Sequence, residues 1–169
     1  MCDISADFIN KNDLDIGNLR LLNLRTLYNK CKEINWKILH NALPTAENLW
    51  KAYGRTFRHT IYCKVCRKME TQEHIFIECS FARKILKEIV KYYGIDEDLM
   101  KVHIDPNFQK NINVREALII SAVRKEIWTI RCAKIFRDIS KPEQVADTIK
   151  RKLKNNTLQS IIQRKNQTV

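Results

Sequence analysis

Three cysteines and one histidine lie within 17 residues of this chain, at Cys63, Cys66, His74 and Cys79. The pattern reads C-x2-C-x7-H-x4-C, which groups four thiolate and imidazole donors in one short stretch. Zn²⁺ favours such donors in tetrahedral geometry, with Zn–S distances of about 2.3 Å and Zn–N distances of about 2.0 Å. The spacing therefore predicts a zinc site, and the alternative is that the four residues are unrelated core or surface positions.

The predicted ligands come as two pairs. The C-x2-C pair supplies two thiolates from one tight turn, and His74 and Cys79 can come from the start of a helix, where residues about one turn apart share a face. Four ligands leave no open coordination position, so the predicted site is structural rather than hydrolytic. His59 is the alternative imidazole ligand, but its position relative to the cysteines favours it less than His74.

Composition predicts a helical fold. Of the 169 residues, 44% are hydrophobic and 30% are charged, which is typical of a globular chain and not of a disordered one. Only 3 glycines and 3 prolines occur, which leaves little turn chemistry for a many-stranded sheet. We therefore predict an all-α fold, a small helical bundle with an inserted Cys-Cys-His-Cys zinc-binding loop.

The lengths of the apolar runs in the sequence indicate the cellular compartment of the protein. No run approaches about 18 apolar residues, and the first residues are polar and acidic. We expect neither a membrane span nor a secretory signal, and hence an intracellular, reducing compartment. Cys31 and Cys132 lie at helical spacing from apolar residues and are predicted to be small buried hydrophobes.

The chain divides into three predicted segments. Residues 1–17 are an irregular lead-in, residues 18–139 a zinc-stapled helical domain, and residues 140–169 a basic C-terminal helix or tail. Apolar periodicity and capping residues predict helices at 18–33, 36–42, 45–54, 71–79, 80–94, 114–139 and from Pro142 onward. The helix at 80–94 is expected to bury one apolar face that includes Tyr92. The wide apolar face at 114–139 predicts the central helix of the bundle.

Charge favours a polyanionic partner. Lys and Arg number 31 against 19 Asp and Glu, a net charge of +12. No acid lies between Glu47 and Glu70, and none follows Asp147. The first of these two basic stretches contains Lys51, Arg55, Arg58, Lys64, Arg67 and Lys68, and the second contains Lys150, Arg151, Lys152, Lys154, Arg164 and Lys165. The alternative is that either cluster is only a solvated surface.

Several strings resemble a known family in order and spacing. They are residues 36–45 (WKILHNALPT), Cys63-x2-Cys66, Glu70-Thr71-x2-His74, Cys79-x-Phe81-Ala82-Arg83 and Ile127-Trp128-x2-Arg131. Together they resemble the zinc-binding region near the C-terminus of LINE-type (non-long-terminal-repeat) retrotransposon reverse transcriptases, over roughly residues 34–136. One departure is Cys132, where that helix commonly has an asparagine. The resemblance implies element RNA or target DNA as partner, with a reverse transcriptase polymerase domain as a further one, and it suggests a nuclear location.

No catalytic pattern accompanies this region. A polymerase palm needs carboxylates on a tight turn to hold two Mg²⁺ ions, but Asp96 and Asp98 lack the doublet and the flanking hairpin. A nuclease cluster of Asp105, Glu116 and Lys125 has no distinctive spacing. We therefore expect a non-catalytic module without a small-molecule substrate.

Two functions remain open. In the first, zinc fixes the loop so that its basic residues meet phosphates, and Phe57 or Tyr62 stacks on an unpaired base. In the second, zinc only stabilises a helical protein-interaction domain, since a structural zinc can contribute on the order of 10–16 kcal/mol to folding. We favour nucleic-acid binding.

Overall fold

The computed structural model describes residues 29–56, 60–108, 110–136 and 142–155. These residues form five α-helices, and the only strand-like pairing among them is a single antiparallel bridge between Tyr62 and Met69. The predicted all-α fold is confirmed. The helices are α1 (Asn29–Leu39), α2 (Ala46–Tyr53), α3 (Ser80–Tyr93), α4 (Val114–Phe136) and α5 (Pro142–Asn155).

Helix α1 is continuous where the sequence predicted two helices with a break near residues 34 and 35. Cys31, Ile34 and Ile38 recur at helical spacing and are buried, and the polar Asn35 is buried on the same side. Because all four lie on the face that packs against α4, tertiary packing continues the helix through this segment. The helix ends at Leu39, and Asn41 follows with a left-handed φ of 47°.

Helix α2 has the predicted ends. The Thr45 hydroxyl oxygen accepts a hydrogen bond from the Asn48 backbone N–H at 3.1 Å, which is the usual N-cap interaction. Gly54 follows the last residue with φ +52°, and its N–H donates to the Trp50 carbonyl oxygen. A side chain at this φ would be strained, so glycine ends the helix here.

Helix α3 is amphipathic and ends, as predicted, at Gly94, which has φ +62°. Its buried residues are Phe81, Ala82, Ile85, Leu86 and Ile89. The prediction that Tyr92 is buried with this face is wrong, because 47% of Tyr92 is exposed. At 100° per residue Tyr92 lies within the arc of the buried residues, so its exposure comes from its place in the last turn of the helix.

Helix α4 is the central helix of the described structure. It packs against α1, α5, the turn at residues 74–78 and the 3-10 helix Glu97–Lys101. Because other elements contact α4 on several sides, its buried residues are spread around the helix and leave no wide polar face. The buried residues include Ala117, Leu118, Ile119, Ile120, Val123 and Ile127. The helix is described as far as Phe136, so its predicted end near residue 139 lies outside the described residues.

Helix α5 begins at Pro142, as predicted, and packs against α3 and α4. Val145, Ala146, Ile149 and Leu153 are buried in the same core as those two helices. The predicted boundaries after residues 17 and 139 stay predictions, and the lead-in at 1–17 lies outside the described residues. None of the described helices combines the length and the apolar composition that a membrane crossing requires.

The cysteines outside the zinc pattern differ in burial. Cys31 is 5% exposed, as predicted, and burial raises the pKa of its thiol. Cys132 is only half-buried, so its predicted burial is only partial.

One arginine is fully buried in the core. The Arg124 guanidinium donates to the Asn35 side-chain oxygen at 3.2 Å and to the carbonyl oxygens of Met100, at 3.0 Å, and Val102. Asn35 also donates to the Ser121 hydroxyl oxygen at 2.8 Å. Burial lowers the pKa of Arg124 to about 9, so the side chain remains charged at neutral pH. This network fastens α4 to α1 and to the 3-10 helix.

Replacing Arg124 with Met should destabilise the protein. The substitution leaves two buried carbonyl groups and the Asn35 amide oxygen without their donor, which we expect to lower the free energy of unfolding by about 2–4 kcal/mol. Urea denaturation measures this. Arg115→Met is the matched control, because Arg115 lies in the same helix and donates to one carbonyl, that of Tyr93. Equal losses in the two variants would contradict the proposed role of the network.

Candidate metal centre

The first ligand pair lies in a tight hairpin, residues 62–69, which we call the zinc knuckle. The Cys63 N–H donates to the Lys68 carbonyl oxygen at 2.7 Å, and the Arg67 N–H donates to the Cys63 carbonyl oxygen at 2.9 Å. The Val65 N–H points at Cys63 Sγ at 3.4 Å, which stabilises negative charge on that sulfur. The backbone thus turns both cysteine side chains to the same side, as the C-x2-C spacing predicted.

The second pair lies in a short π-helical turn, His74–Glu78. Thr71 caps it, as predicted, with its hydroxyl oxygen accepting from the His74 N–H at 2.9 Å. The Cys79 N–H then donates to the His74 carbonyl oxygen at 2.8 Å, an i to i+5 hydrogen bond.

The π turn explains the x4 spacing. In an α-helix, residues five apart are rotated by about 140° and point away from each other. The wider π turn brings His74 and Cys79 to one side. The sequence predicted an ordinary helical turn at this position, which would not have placed both ligands at one metal.

The four ligand atoms converge. All lie within 4.8 Å of one another, with Cys63 Sγ 3.9 Å from Cys79 Sγ and Cys66 Sγ 3.0 Å from His74 Nε2. A tetrahedron with Zn–S distances of about 2.3 Å has S–S edges of about 3.8 Å, so the sulfur pair fits a shared zinc ion. The alternative of four unrelated residues is therefore wrong, and His74 is the imidazole of this cluster.

The electrostatics of the cluster also suit a cation. The pKa of Cys63 is lowered to about 4, chiefly by the hydrogen bond that its sulfur shares with Cys79. The same hydrogen bond, together with burial, raises the pKa of Cys79. Cys63, His74 and Cys79 are each less than a tenth exposed, so two thiolates at this distance need a positive charge between them. A divalent zinc ion supplies that charge and takes the place of the shared proton.

A carboxylate stands behind the histidine. Glu78 Oε2 lies 3.5 Å from His74 Nδ1, the ring nitrogen that faces away from the sulfurs. Nδ1 is buried and makes no hydrogen bond within the described residues. Metal-bound histidines commonly direct their second ring nitrogen toward a carboxylate, which fixes the ring orientation. Glu78 is therefore placed to hold Nε2 toward the metal.

A buried ion pair connects the zinc knuckle to the bundle. Glu70 Oε1 accepts hydrogen bonds from the Arg131 side chain, with Nε at 3.1 Å, and from the Ala46 N–H at 3.2 Å. The Arg131 guanidinium also lies over the Trp128 ring, 4.8 Å from its centre. The Glu70 N–H donates to the Ile61 carbonyl oxygen at 2.9 Å. One carboxylate thus joins the base of the knuckle to the start of α2 and to α4.

Glu70, Trp128 and Arg131 belong to the strings that resemble the family, but the sequence assigns them no role. Its only sign of them is an acid beside the ligand region and an arginine one turn after a tryptophan. Nothing local shows that they meet, because Glu70 and Arg131 are 61 residues apart in the chain.

The predicted nucleic-acid-binding residues lie in different surroundings. Lys64, Arg67 and Lys68 are exposed on the zinc knuckle, and Arg55 is exposed in the 3-10 turn Gly54–Thr56. Lys51 is exposed on α2 but pairs with Glu47 at 2.7 Å. Arg58 lies outside the described residues, as do His59 and Phe57.

A known family matches the same region. Residues 17–85 match the family model described as zinc-binding in reverse transcriptase, which covers less than half of the chain. The match includes all four ligands and extends to the first turns of α3. Neither the curated proteins nor the solved structures gave a significant match. Together with the converging ligands, the family match identifies a zinc-binding region of the kind found in reverse transcriptases.

Loss of one zinc ligand should unfold this region. We expect Cys79→Ser to reduce bound zinc from one ion per chain to none and to lower helical content. A structural zinc contributes on the order of 10–16 kcal/mol, as much as the whole stability of a typical domain. Cys132→Ser is the matched control and should keep one zinc. The measurements are native mass spectrometry and far-ultraviolet circular dichroism, and a zinc-free Cys79→Ser variant of unchanged helicity and thermal stability would contradict a structural role.

Breaking the buried ion pair should destabilise the fold without removing zinc. Glu70→Ala leaves the Arg131 charge buried and unpaired, which we expect to cost about 3 kcal/mol of unfolding free energy. The double variant with Arg131→Met should recover part of that loss, as a denaturant-based double-mutant cycle would show. Glu73→Ala, an exposed acid nearby, should change stability by less than about 0.5 kcal/mol. A Glu70→Ala variant as stable as Glu73→Ala would refute the coupling.

Proposed function

We propose that this chain is a non-catalytic module that binds RNA or DNA through the basic face of its zinc knuckle, and that it derives from a retrotransposon reverse transcriptase. The family match supports the reverse transcriptase context. The net charge of +12 favours a polyanionic partner. In this proposal zinc fixes the backbone that presents the charges and takes part in no reaction.

The backbone at Arg67 is the observation that carries the proposal. Arg67 has φ +61°, a left-handed conformation that costs an L-residue about 1–2 kcal/mol relative to glycine. A turn selected only for stability would have glycine here. The chain instead has a long cation, exposed at the tip of the knuckle. Strain of this kind is typical of functional positions.

The charges of the knuckle tip are open to a ligand. Arg67 and Lys68 are exposed, and neither forms an ion pair with an acid in the described parts of the chain. The nearest acid along the chain, Glu70, is occupied by Arg131. The phosphates of a bound nucleic acid would therefore contact cations whose charge no acid of the protein already neutralises.

An exposed aromatic ring lies beside these cations. Tyr62 pairs with Met69 across the hairpin and is 51% exposed. Its ring suits stacking on an unpaired base, while the neighbouring cations meet the phosphates of the same strand. The proposed ligand of the knuckle is accordingly an unpaired segment of RNA or DNA.

The variant Arg67→Gly separates binding from stability. Glycine relieves the left-handed strain, so zinc content should be unchanged and stability equal or up to about 1 kcal/mol higher. Affinity for a single-stranded oligonucleotide should fall, and the slope of log K against log[salt] should flatten by about 0.7 for the lost phosphate contact. Fluorescence anisotropy at several salt concentrations measures both quantities.

Two further variants sharpen this test. Lys68→Gln should flatten the slope by a similar amount, whereas Lys51→Gln, whose charge is paired with Glu47, should change it less. An affinity that depends neither on salt concentration nor on Arg67→Gly or Lys68→Gln would overturn nucleic-acid binding at this face.

A protein-interaction role is the second candidate, favoured by one specific observation. An apolar groove lies between the zinc knuckle and α4, and Val65, Ile75, Phe81, Ile127 and Ile130 contribute to its lining. The polymerase domain of a reverse transcriptase is the proposed partner for such a groove. Ile130→Glu should weaken that association and leave oligonucleotide binding intact, whereas Arg67→Gly should do the reverse. A nuclear location belongs to the first proposal, and only if the nucleic-acid partner is chromosomal DNA.

A further inference from the structure

Helix α3 carries a second basic surface that starts beyond the metal centre. Its solvent-facing positions include Arg83, Lys84, Lys87 and Lys91. Lys87 follows the adjacent pair Arg83 and Lys84 by four and three residues, and Lys91 follows Lys87 by four, which places all of them on one face. All four are exposed. Glu88, at the edge of this face, is the one acid within α3.

Helix α5 adds two more cations at the far end of α3. Lys150 Nζ and Lys154 Nζ lie 5.2 Å and 5.3 Å from the centre of the Tyr92 ring. Cations at this distance from an aromatic ring are held by its π-electrons. Lys150 also lies 3.5 Å from Glu88 Oε2 and 3.6 Å from Asp147 Oδ1. The partly exposed ring of Tyr92 thus holds two α5 lysines next to the basic face of α3.

We propose that this surface binds the phosphate backbone of double-stranded nucleic acid. We call it the α3–α5 stripe, and it consists of Arg83, Lys84, Lys87, Lys91, Lys150 and Lys154. Glu88 and Asp147 both lie near Lys150, and none of the other five cations forms an ion pair with an acid within the described residues. The proposal goes beyond the zinc knuckle and does not depend on it.

The lack of free stacking surface favours a duplex over a single strand. Proteins that hold single strands combine cations with aromatic rings on which bases stack. Tyr92 is the one exposed aromatic residue of α3, α5 contains none, and two lysines already lie against the Tyr92 ring. A straight row of cations without free aromatic rings can contact phosphates but cannot stack on bases. Such a surface suits the regularly spaced phosphates of a duplex.

Burial of the apolar side of α3 argues against a membrane surface. A helix that lies on a lipid bilayer inserts an apolar face beside its basic one. The apolar residues of α3, from Phe81 to Ile89, are buried in the core of the protein. The stripe therefore offers charge but no apolar face for insertion.

The length of α3 sets how much of a nucleic-acid strand the stripe can span. From its N-cap Cys79 to Tyr92, α3 rises by about 20 Å at 1.5 Å per residue. That rise equals about six steps of one strand at 3.4 Å per step.

The test compares two triple variants of equal charge. Lys84→Gln, Lys87→Gln and Lys91→Gln remove three stripe cations, and Lys30→Gln, Lys101→Gln and Lys110→Gln remove three cations elsewhere. Glutamine keeps a helix propensity close to that of lysine, and zinc content with circular dichroism verifies the fold. The probes are a 16-base-pair DNA duplex, an RNA duplex of the same sequence, and the DNA strand alone.

We expect the stripe variant to flatten the salt slope on both duplexes by about 2–3, at about 0.9 per phosphate contact, and the control to leave it unchanged. Binding to the single strand should change by less than twofold in the stripe variant. Replacing the same three lysines with arginine should restore duplex binding, which separates charge from folding.

Three results would overturn the proposal: a stripe variant with the slope of the control, equal losses on duplex and single strand, or loss of binding to phosphatidylserine vesicles in place of duplex. A different result would overturn the proposal for the zinc knuckle, namely that Arg67→Gly leaves binding to the single strand unchanged. The two proposals can therefore fail separately.

Discussion

Two buried sulfurs 3.9 Å apart, Cys63 Sγ and Cys79 Sγ, set the electrostatic constraint on this protein. They cannot both carry negative charge in a dry site unless a cation lies between them. Cys66 and His74 complete a tetrahedral set, and Glu78 stands behind the imidazole ring. Zinc therefore joins a hairpin to the start of α3. Hydrogen bonds to Glu70 add polar contacts at the base of the hairpin.

Those polar contacts make the metal centre part of the bundle. Glu70 receives hydrogen bonds from the start of α2 and from Arg131 of α4, and the Gln72 amide donates to the Ile38 carbonyl oxygen at the end of α1. Farther into the core, Arg124 fastens α4 to α1. The base of the zinc knuckle is therefore tied to the ends of α1 and α2 and to α4.

Features that depend on neighbouring residues were predictable from the sequence, whereas contacts between residues far apart in the chain were not. The caps at Thr45 and Thr71 and the glycine stop at Gly54 follow from single residues and their neighbours, as does the C-x2-C turn. The π turn was missed because its advantage appears only when His74 and Cys79 share a metal. The break expected within α1 was wrong because Asn35 reads as a polar interruption until its partner Arg124, 89 residues away, is known. The contacts of Lys150 and Lys154 with the Tyr92 ring likewise join two helices and cannot be read from the sequence of either one.

X-ray absorption at the zinc edge tests zinc coordination by Cys63, Cys66, His74 and Cys79 most directly. We expect one zinc per chain with three sulfur neighbours at about 2.3 Å and one nitrogen neighbour at about 2.0 Å. A purified, folded protein whose zinc has two or fewer sulfur neighbours, or which carries no zinc, would contradict it.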